Sequence, residues 1–269
     1  MHNQSSISQL IDRYIKYEYE QDLFNEKINN VYYWQFIRFT LFYELLFQLK
    51  LINKRPGNEY TIKNIVNTLN SSIKYSFIRN PMKNLHSKNM IILNHPRRIF
   101  YENNYLEIYT DPVLKELDLS YYVFEYPDKK IHYSPVITDN RRYLDFFLNY
   151  KHIKKRFGKK VLSLDDNEYL SVISQKINNN FNVDVYEFIK NKIIDLFVFI
   201  ELFEPYFHRI ISKVDPKIIL EVVHYSFFNM VFNYLLRKHQ YKVPIVELQH
   251  GTMGKYHWGY NYYKKLNLD

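Results

Sequence analysis

The C-terminal part of the chain carries the pattern that most restricts the fold. Asp215-Pro216 opens the apolar run Lys217-Ile-Ile-Leu-Glu-Val-Val223. Helical spacing follows from Ser226 to His239, and Val243-Pro-Ile-Val-Glu-Leu248 is a second short apolar run. Short apolar runs bounded by turn residues read as strands buried on both faces. Two such strands joined by a helix form a β-α-β unit, which implies parallel pairing and a right-handed crossover. The expected class is α/β, with a Rossmann-like parallel sheet.

Upstream, Asn89-Met-Ile-Ile-Leu-Asn94 and Tyr121-Tyr-Val-Phe-Glu-Tyr126 fit two further buried strands, the second stopped by Pro127. A short strand is read at Lys160 to Leu164. Helices are read at Asp139 to Phe157, Asn167 to about Lys176, and Val185 to Lys213, with a kink or break expected at Pro205. The first part of the chain looks helical throughout: Ser5 to Glu26, Val31 to Leu49 and Thr61 to Ile78, ended by Asn80-Pro81. The expected organisation is a helical N-terminal section over 1–85 packing on a Rossmann-like α/β domain over 86–269.

Composition narrows the function classes. Hydrophobic residues make up 46% of 269 and charged residues 24%, which suits a packed chain rather than a disordered one. With no cysteine, thiolate metal sites, disulfides and cysteine nucleophiles are excluded. Only five glycines are present, and neither a G-x-G-x-x-G turn nor a P-loop can be found. A net charge of +9 permits an anionic partner. However, alanine is absent while Lys, Asn, Ile, Tyr and Phe abound, the mark of AT-rich codons, and this weakens inference from charge. The basic residues are scattered and fit no nucleic-acid-binding motif, so no nucleic-acid partner is expected. The N-terminus lacks a signal peptide and Val31 to Leu49 is interrupted by Gln35, Arg38, Glu44 and Gln48, so a cytoplasmic protein is expected.

Three histidines follow the carboxyl ends of expected strands: His95, His224 and His250. Open parallel sheets bind ligands there, and imidazole titrates near neutrality, as proton transfer requires. Each alone reads more readily as a strand cap or a bond to a loop carbonyl; the three together favour a site. Gln249-His250-Gly251-Thr252 is the most specific segment, because Gly251 permits a tight turn and close approach of a ligand. Arg97 and Arg98 follow His95 and could hold a phosphate, or form a solvated basic loop. Asp111, in Thr-Asp-Pro, could orient an imidazole, although a helix start is the commoner use. His250 and His257 stand seven apart with no carboxylate at a recognised ligand spacing, so no bound metal is expected.

Val246-Glu-Leu-Gln-His-Gly-Thr252, continued by His257-Trp-Gly-Tyr260, resembles a signature of bacterial surface-polysaccharide glycosyltransferases of the GT-B type. Asn94-His95-Pro96-Arg97-Arg98 and Tyr109-Thr110-Asp111-Pro112 look like further pieces of the same capsule-related proteins. The resemblance implies a GT-B N-terminal-domain fold for 86–269, the acceptor-side half of a two-domain enzyme. It implies transfer of a sugar from a nucleotide-sugar donor to a growing polysaccharide or lipid-linked acceptor. His250 would be the base. His95, Arg97, Arg98, Asp111, His224, Gln249, Gly251, Thr252 and His257 would line the substrates. No bound cofactor is implied, and contact with the inner face of a membrane, where lipid-linked acceptors sit, is compatible. The chain stops where such a first domain closes, so a donor-binding half is expected outside it. The rival expectation is a non-catalytic binding or assembly module in polysaccharide synthesis.

Overall fold

The computed structural model describes residues 2–53, 73–128, 131–138, 140–148, 151, 162–249, 251, 254, 257 and 259–261. The chain forms two units: 1–58 with 158–197 and 252–269, and 59–157 with 198–251.

The first unit contains helices α1 (His2–Glu20) and α2 (Trp34–Gln48), joined by a 3₁₀ turn (Leu23–Asn25) and a hairpin of β1 (Lys27–Ile28) and β2 (Val31–Tyr32). The expected helix from Val31 therefore starts later. Asn29 and Asn30 both adopt positive φ, 49° and 62°, which asparagine tolerates and which closes a tight two-residue hairpin. Helix α2 is buried over much of its circumference, at Trp34, Phe36, Ile37, Leu41, Phe42, Leu45 and Leu46. Arg38 lies on the same helix, and burial forces it to find a partner. Its Nε and Nη2 each lie 2.7 Å from a different oxygen of buried Glu18, whose Oε1 also accepts from Trp34 Nε1 at 2.8 Å. Tyr14 packs its ring on Phe42 at 5.1 Å and Phe181 at 6.1 Å.

Helix α4 (Leu164–Phe181) also belongs to this unit. The expected strand at 160–164 is corrected over its described part. Ser163 Oγ accepts from Asp166 N and Asp166 Oδ2 accepts from Ser163 N, a capping box that starts a helix at once. Residues 160–161 of that expectation, and 61–72 of the expected helix Thr61 to Ile78, lie outside the described residues; 73–77 are helical.

The second unit is built on five parallel strands: β3 (Met90–Leu93), β6 (Tyr121–Glu125), β7 (Arg141–Tyr143), β8 (Ile218–Val222) and β9 (Ile245–Leu248). Their order is β7-β6-β3-β8-β9, so the first strand in sequence lies at the centre. That arrangement is consistent with a Rossmann-like sheet. Every residue of β3 is buried, as the continuous apolar run requires. Met90, Ile92, Val123 and Leu220 pack with Leu114 of the short helix α3 (Asp111–Glu116).

Helix α5 (Tyr186–Val214) runs continuously through Pro205, and its residues from Val198 onward lie in this unit. Phe203 and Phe207, one turn apart, meet Phe228 and Phe232 of α6 (Phe227–Lys238), each at 5.1 Å between ring centres. A small hairpin of β4 (Ile99–Tyr101) and β5 (Asn104–Leu106) leaves the sheet after β3.

Strand β7 replaces the first part of the helix expected from Asp139; helical structure begins only at residue 145. Asn140 takes φ 57°, which interrupts a right-handed helix, and Arg141 and Tyr143 are buried beside β6.

Among the described residues no helix is long and apolar enough to cross a membrane.

Candidate functional site

In the order β7-β6-β3-β8-β9, connections leave β3 toward β6 on one side, while β8 and β9 lie on the other. The order in which successive strands are added reverses between β3 and β8, which themselves run parallel. Ligands of such sheets bind at that point, outside the carboxyl ends. Leu93 at the end of β3 is in register with Glu221 of β8. The residues that follow, Asn94-His95 and Val223-His224, therefore emerge side by side.

Asn94 is 6% exposed, and neither its Oδ1 nor its Nδ2 has a hydrogen-bond partner. A buried amide left unpaired costs about 1–3 kcal/mol, so it marks a place where a ligand group can be recognised. His95 Nδ1 accepts from the Arg97 amide at 3.0 Å. A neutral His95 ring then carries its proton on Nε2.

On the β8 side the backbone is strained. Val223 has φ 65°, a left-handed conformation that costs a branched residue about 1–2 kcal/mol. The turn is held there by its neighbours. Val223 O accepts from Ser226 N at 2.9 Å and from Asn229 Nδ2 at 3.1 Å, and Val222 O from Asn229 Nδ2 at 3.0 Å. Ser226 Oγ also caps α6 by accepting from Asn229 N. Strain that the surroundings over-determine is typical of functional turns. Val223→Asn, which tolerates the same φ, is expected to stabilise the protein by about 1 kcal/mol in urea unfolding. An unchanged or lower midpoint would mean that the turn stores no usable strain.

The strained turn aims His224 at a carboxylate. Glu247 Oε1 lies 3.0 Å from both the His224 amide nitrogen and its ring Nδ1. The amide donates, and the ring Nδ1–H donates beside it. Nε2 is then the ring's acceptor, the arrangement of an imidazole base oriented by an acid. Glu247 stands in register with Glu221 on β8. Glu221 is buried, and both its oxygens accept from Asn233 Nδ2, at 3.2 and 3.0 Å. Burial pushes the Glu221 carboxyl above its ordinary pKa, the Asn233 bond opposes this, and the charge of Glu247 adds to the rise.

Beside the crevice, the end of β6 joins a buried knot of charge. Glu125 accepts from Arg98 Nη2, lies 2.7 Å from His132 Nδ1 and 3.6 Å from Arg141 Nη1. His132 Nε2 lies 2.7 Å from Asp145, and its ring stacks on Tyr143 at 3.5 Å. Asp111 accepts from Arg98 Nη1 at 3.2 Å, Thr138 Oγ1 at 3.0 Å and the Glu107 amide at 2.7 Å. Burial disfavours a charged Glu125, but His132, Arg98 and Arg141 outweigh it and hold its pKa down. Burial likewise opposes a charged His132, and its bonds to Asp145 and Glu125 overcome that and raise its pKa. Asp111 and Glu107 are pushed up by burial.

Comparison with protein-family models, with curated proteins and with solved structures finds no match. The site is therefore read from its own geometry.

That geometry corrects part of the sequence reading. Arg98 is spent on Asp111 and Glu125, and Asp111 on Arg98, Thr138 and the Glu107 amide; the Arg98 side chain is wholly buried and is not presented to a phosphate. Arg97 is exposed. His95 and His224 follow the adjacent strands β3 and β8. Gln249 follows β9 and donates to Gly251 O at 2.6 Å. A Cβ at Gly251 would meet nothing within 4 Å and its φ is not positive, so the fold itself does not demand glycine there. His250 and Thr252 lie outside the described residues. His257 belongs to the first unit, where its ring lies 4.9 Å from Tyr260.

Glu247, Glu221, Asn94 and His132 were not among the expected site residues. The signal for the glutamates was present: each interrupts an otherwise apolar strand. A cavity of about 730 Å³ lies elsewhere in this unit, lined by Arg79, Asn80, Lys83, Asn140 and Arg142 among others. Its described lining presents the basic side chains of Arg79, Lys83 and Arg142, so it suits an anion better than proton transfer.

Proposed function

We propose that the second unit is the acceptor-side half of a GT-B-type glycosyl-transfer site. The acceptor is a hydroxyl of a surface polysaccharide or lipid-linked saccharide, and the donor is a nucleotide sugar. The reading rests on the resemblance around Gln249-His250-Gly251-Thr252. The observation that carries it is the His224–Glu247 pair, set beside the unpaired amide of Asn94 at the carboxyl ends of β8 and β3.

In this reading an imidazole takes the proton of the acceptor hydroxyl. The freed oxygen attacks the anomeric carbon, and the bond to the nucleoside diphosphate breaks. His250 is the base that the resemblance names. His224, held by Glu247, is a second imidazole suited to orient or relay that proton. Asn94 can pair with a sugar hydroxyl, and exposed Arg97 can meet a phosphate. The test is acceptor-dependent release of nucleoside diphosphate by the chain completed with a donor-binding half, assayed over a panel of nucleotide sugars. Saccharide binding without release would favour a holding module in polysaccharide assembly instead.

A further inference from the structure

Glu204 and His208 stand four residues apart on α5, so their side chains rise from one face of the helix. His239 is the C-cap of α6. Packing of Phe207 on Phe232 brings the two helices together at this level. The result is a cluster in which one ligand atom from each of Glu204, His208 and His239 lies within 4.8 Å of the others. The two imidazole rings are 4.2 Å apart between centres. His239 Nε2 lies 2.6 Å from Glu204 Oε1.

We propose that Glu204, His208 and His239 form a binding site for a divalent transition cation, Zn²⁺ foremost. Two imidazoles and a carboxylate are a borderline donor set that such ions prefer over Ca²⁺ or Mg²⁺. Ligands of a tetrahedral ion with bonds of about 2.0–2.1 Å stand a little over 3 Å apart, so only small side-chain shifts are needed. Water completes the fourth position. Tyr241 OH lies 3.1 Å from His208 Nδ1, which fixes that ring and leaves Nε2 to face the ion. The end of α6 presents the negative pole of a helix, which favours a cation there. Lys238 Nζ, 2.7 Å from Glu204 Oε1, is the cation that the ion would displace.

The site clamps α5 to α6 and does not serve the crevice. His239 ends the helix that Ser226 begins, and twelve residues separate the two places by about 18 Å. Its effect is on stability, and it stands whether or not the glycosyl-transfer reading holds.

The experiment is titration of chelator-stripped full-length protein with Zn²⁺ by calorimetry, with Co²⁺ absorption as a report on geometry. The expected result is one equivalent bound, a tetrahedral Co²⁺ spectrum, and a Tm raised by about 5 °C at saturating metal. Glu204→Gln and His208→Ala each weaken binding by more than about 100-fold, beyond the usual loss for an outer-shell partner. Lys238→Met, which removes the competitor and no ligand, leaves binding equal or tighter. Should either ligand variant fail to fold, Lys238→Met decides alone. Absence of binding to the wild type, binding that survives both ligand variants, or weaker binding by Lys238→Met would overturn the site.

Discussion

Glu125→Ala is expected to destabilise the protein by about 3–5 kcal/mol, the cost of leaving buried charge uncompensated. Glu125 is the one carboxylate that meets Arg98, His132 and Arg141 together. Its loss leaves Arg98 with Asp111 alone, His132 with Asp145 alone and Arg141 without that neighbouring carboxylate, each with a side chain no more than 3% exposed. Against a typical total stability of about 5–15 kcal/mol, that is enough to unfold a marginal chain. Urea unfolding followed by circular dichroism measures it, and a loss below about 1 kcal/mol would show the knot to be dispensable.

The same knot sets a pH window. The folded pKa of His132 lies above its ordinary 6.5, so its contribution is full below that value and is lost as pH rises through the folded pKa. The folded pKa of Glu125 lies below its ordinary 4.5, so its contribution is present above 4.5 and is lost as pH falls through the folded pKa. The knot is firmest between those two values. The unfolding midpoint is expected to fall from weakly acidic to alkaline pH, and His132→Gln to flatten that fall.

The second large effect is on transfer. His224→Ala is expected to lower kcat by about 10²–10⁴-fold, the usual worth of a positioned acid or base. Glu247→Gln keeps the shape of the partner but loses its charge, and is expected to cost less. His250→Ala is expected to abolish transfer while leaving the unfolding midpoint unchanged. Steady-state release of nucleoside diphosphate by the chain completed with a donor-binding half measures all three. A near-normal rate in His224→Ala would remove the His224–Glu247 pair from the chemistry, and a near-normal rate in His250→Ala would remove that histidine.

Strands β3, β6 and β8 were legible because they are buried on both faces, which demands mainly apolar runs; β9 was legible from its apolar run too, although Ile245 and Val246 are exposed. Helix α6 was legible because Ser226 caps it and its apolar face repeats. Strand β7 was hidden for the opposite reason. Asn140-Arg-Arg-Tyr143 has no apolar run, and Arg141 is buried through its position beside Glu125, a contact between distant residues. The first hairpin was hidden because two asparagines in a left-handed turn carry a conformational signal, not a hydropathic one.

At the site, strand ends announced His95 and His224, since a polar residue after an apolar run marks the edge of the sheet. What His224 does there depends on Glu247, brought beside it by pairing of β8 with β9. Arg98 misled because a basic pair in a loop looks solvated until Asp111 and Glu125 close over it. Glu204 and His208 had the four-residue spacing of a helical ligand pair, but their third partner is distant in sequence.

The most direct test of the crevice is hydrogen–deuterium exchange on the full chain, with and without nucleotide sugars and a lipid-phosphate-linked saccharide. Protection is expected at residues 94–98, 223–229 and 247–251, where β3, β8 and β9 end. Binding that protects only the groove around Arg79, Lys83 and Arg142, and leaves those turns unchanged, would contradict it.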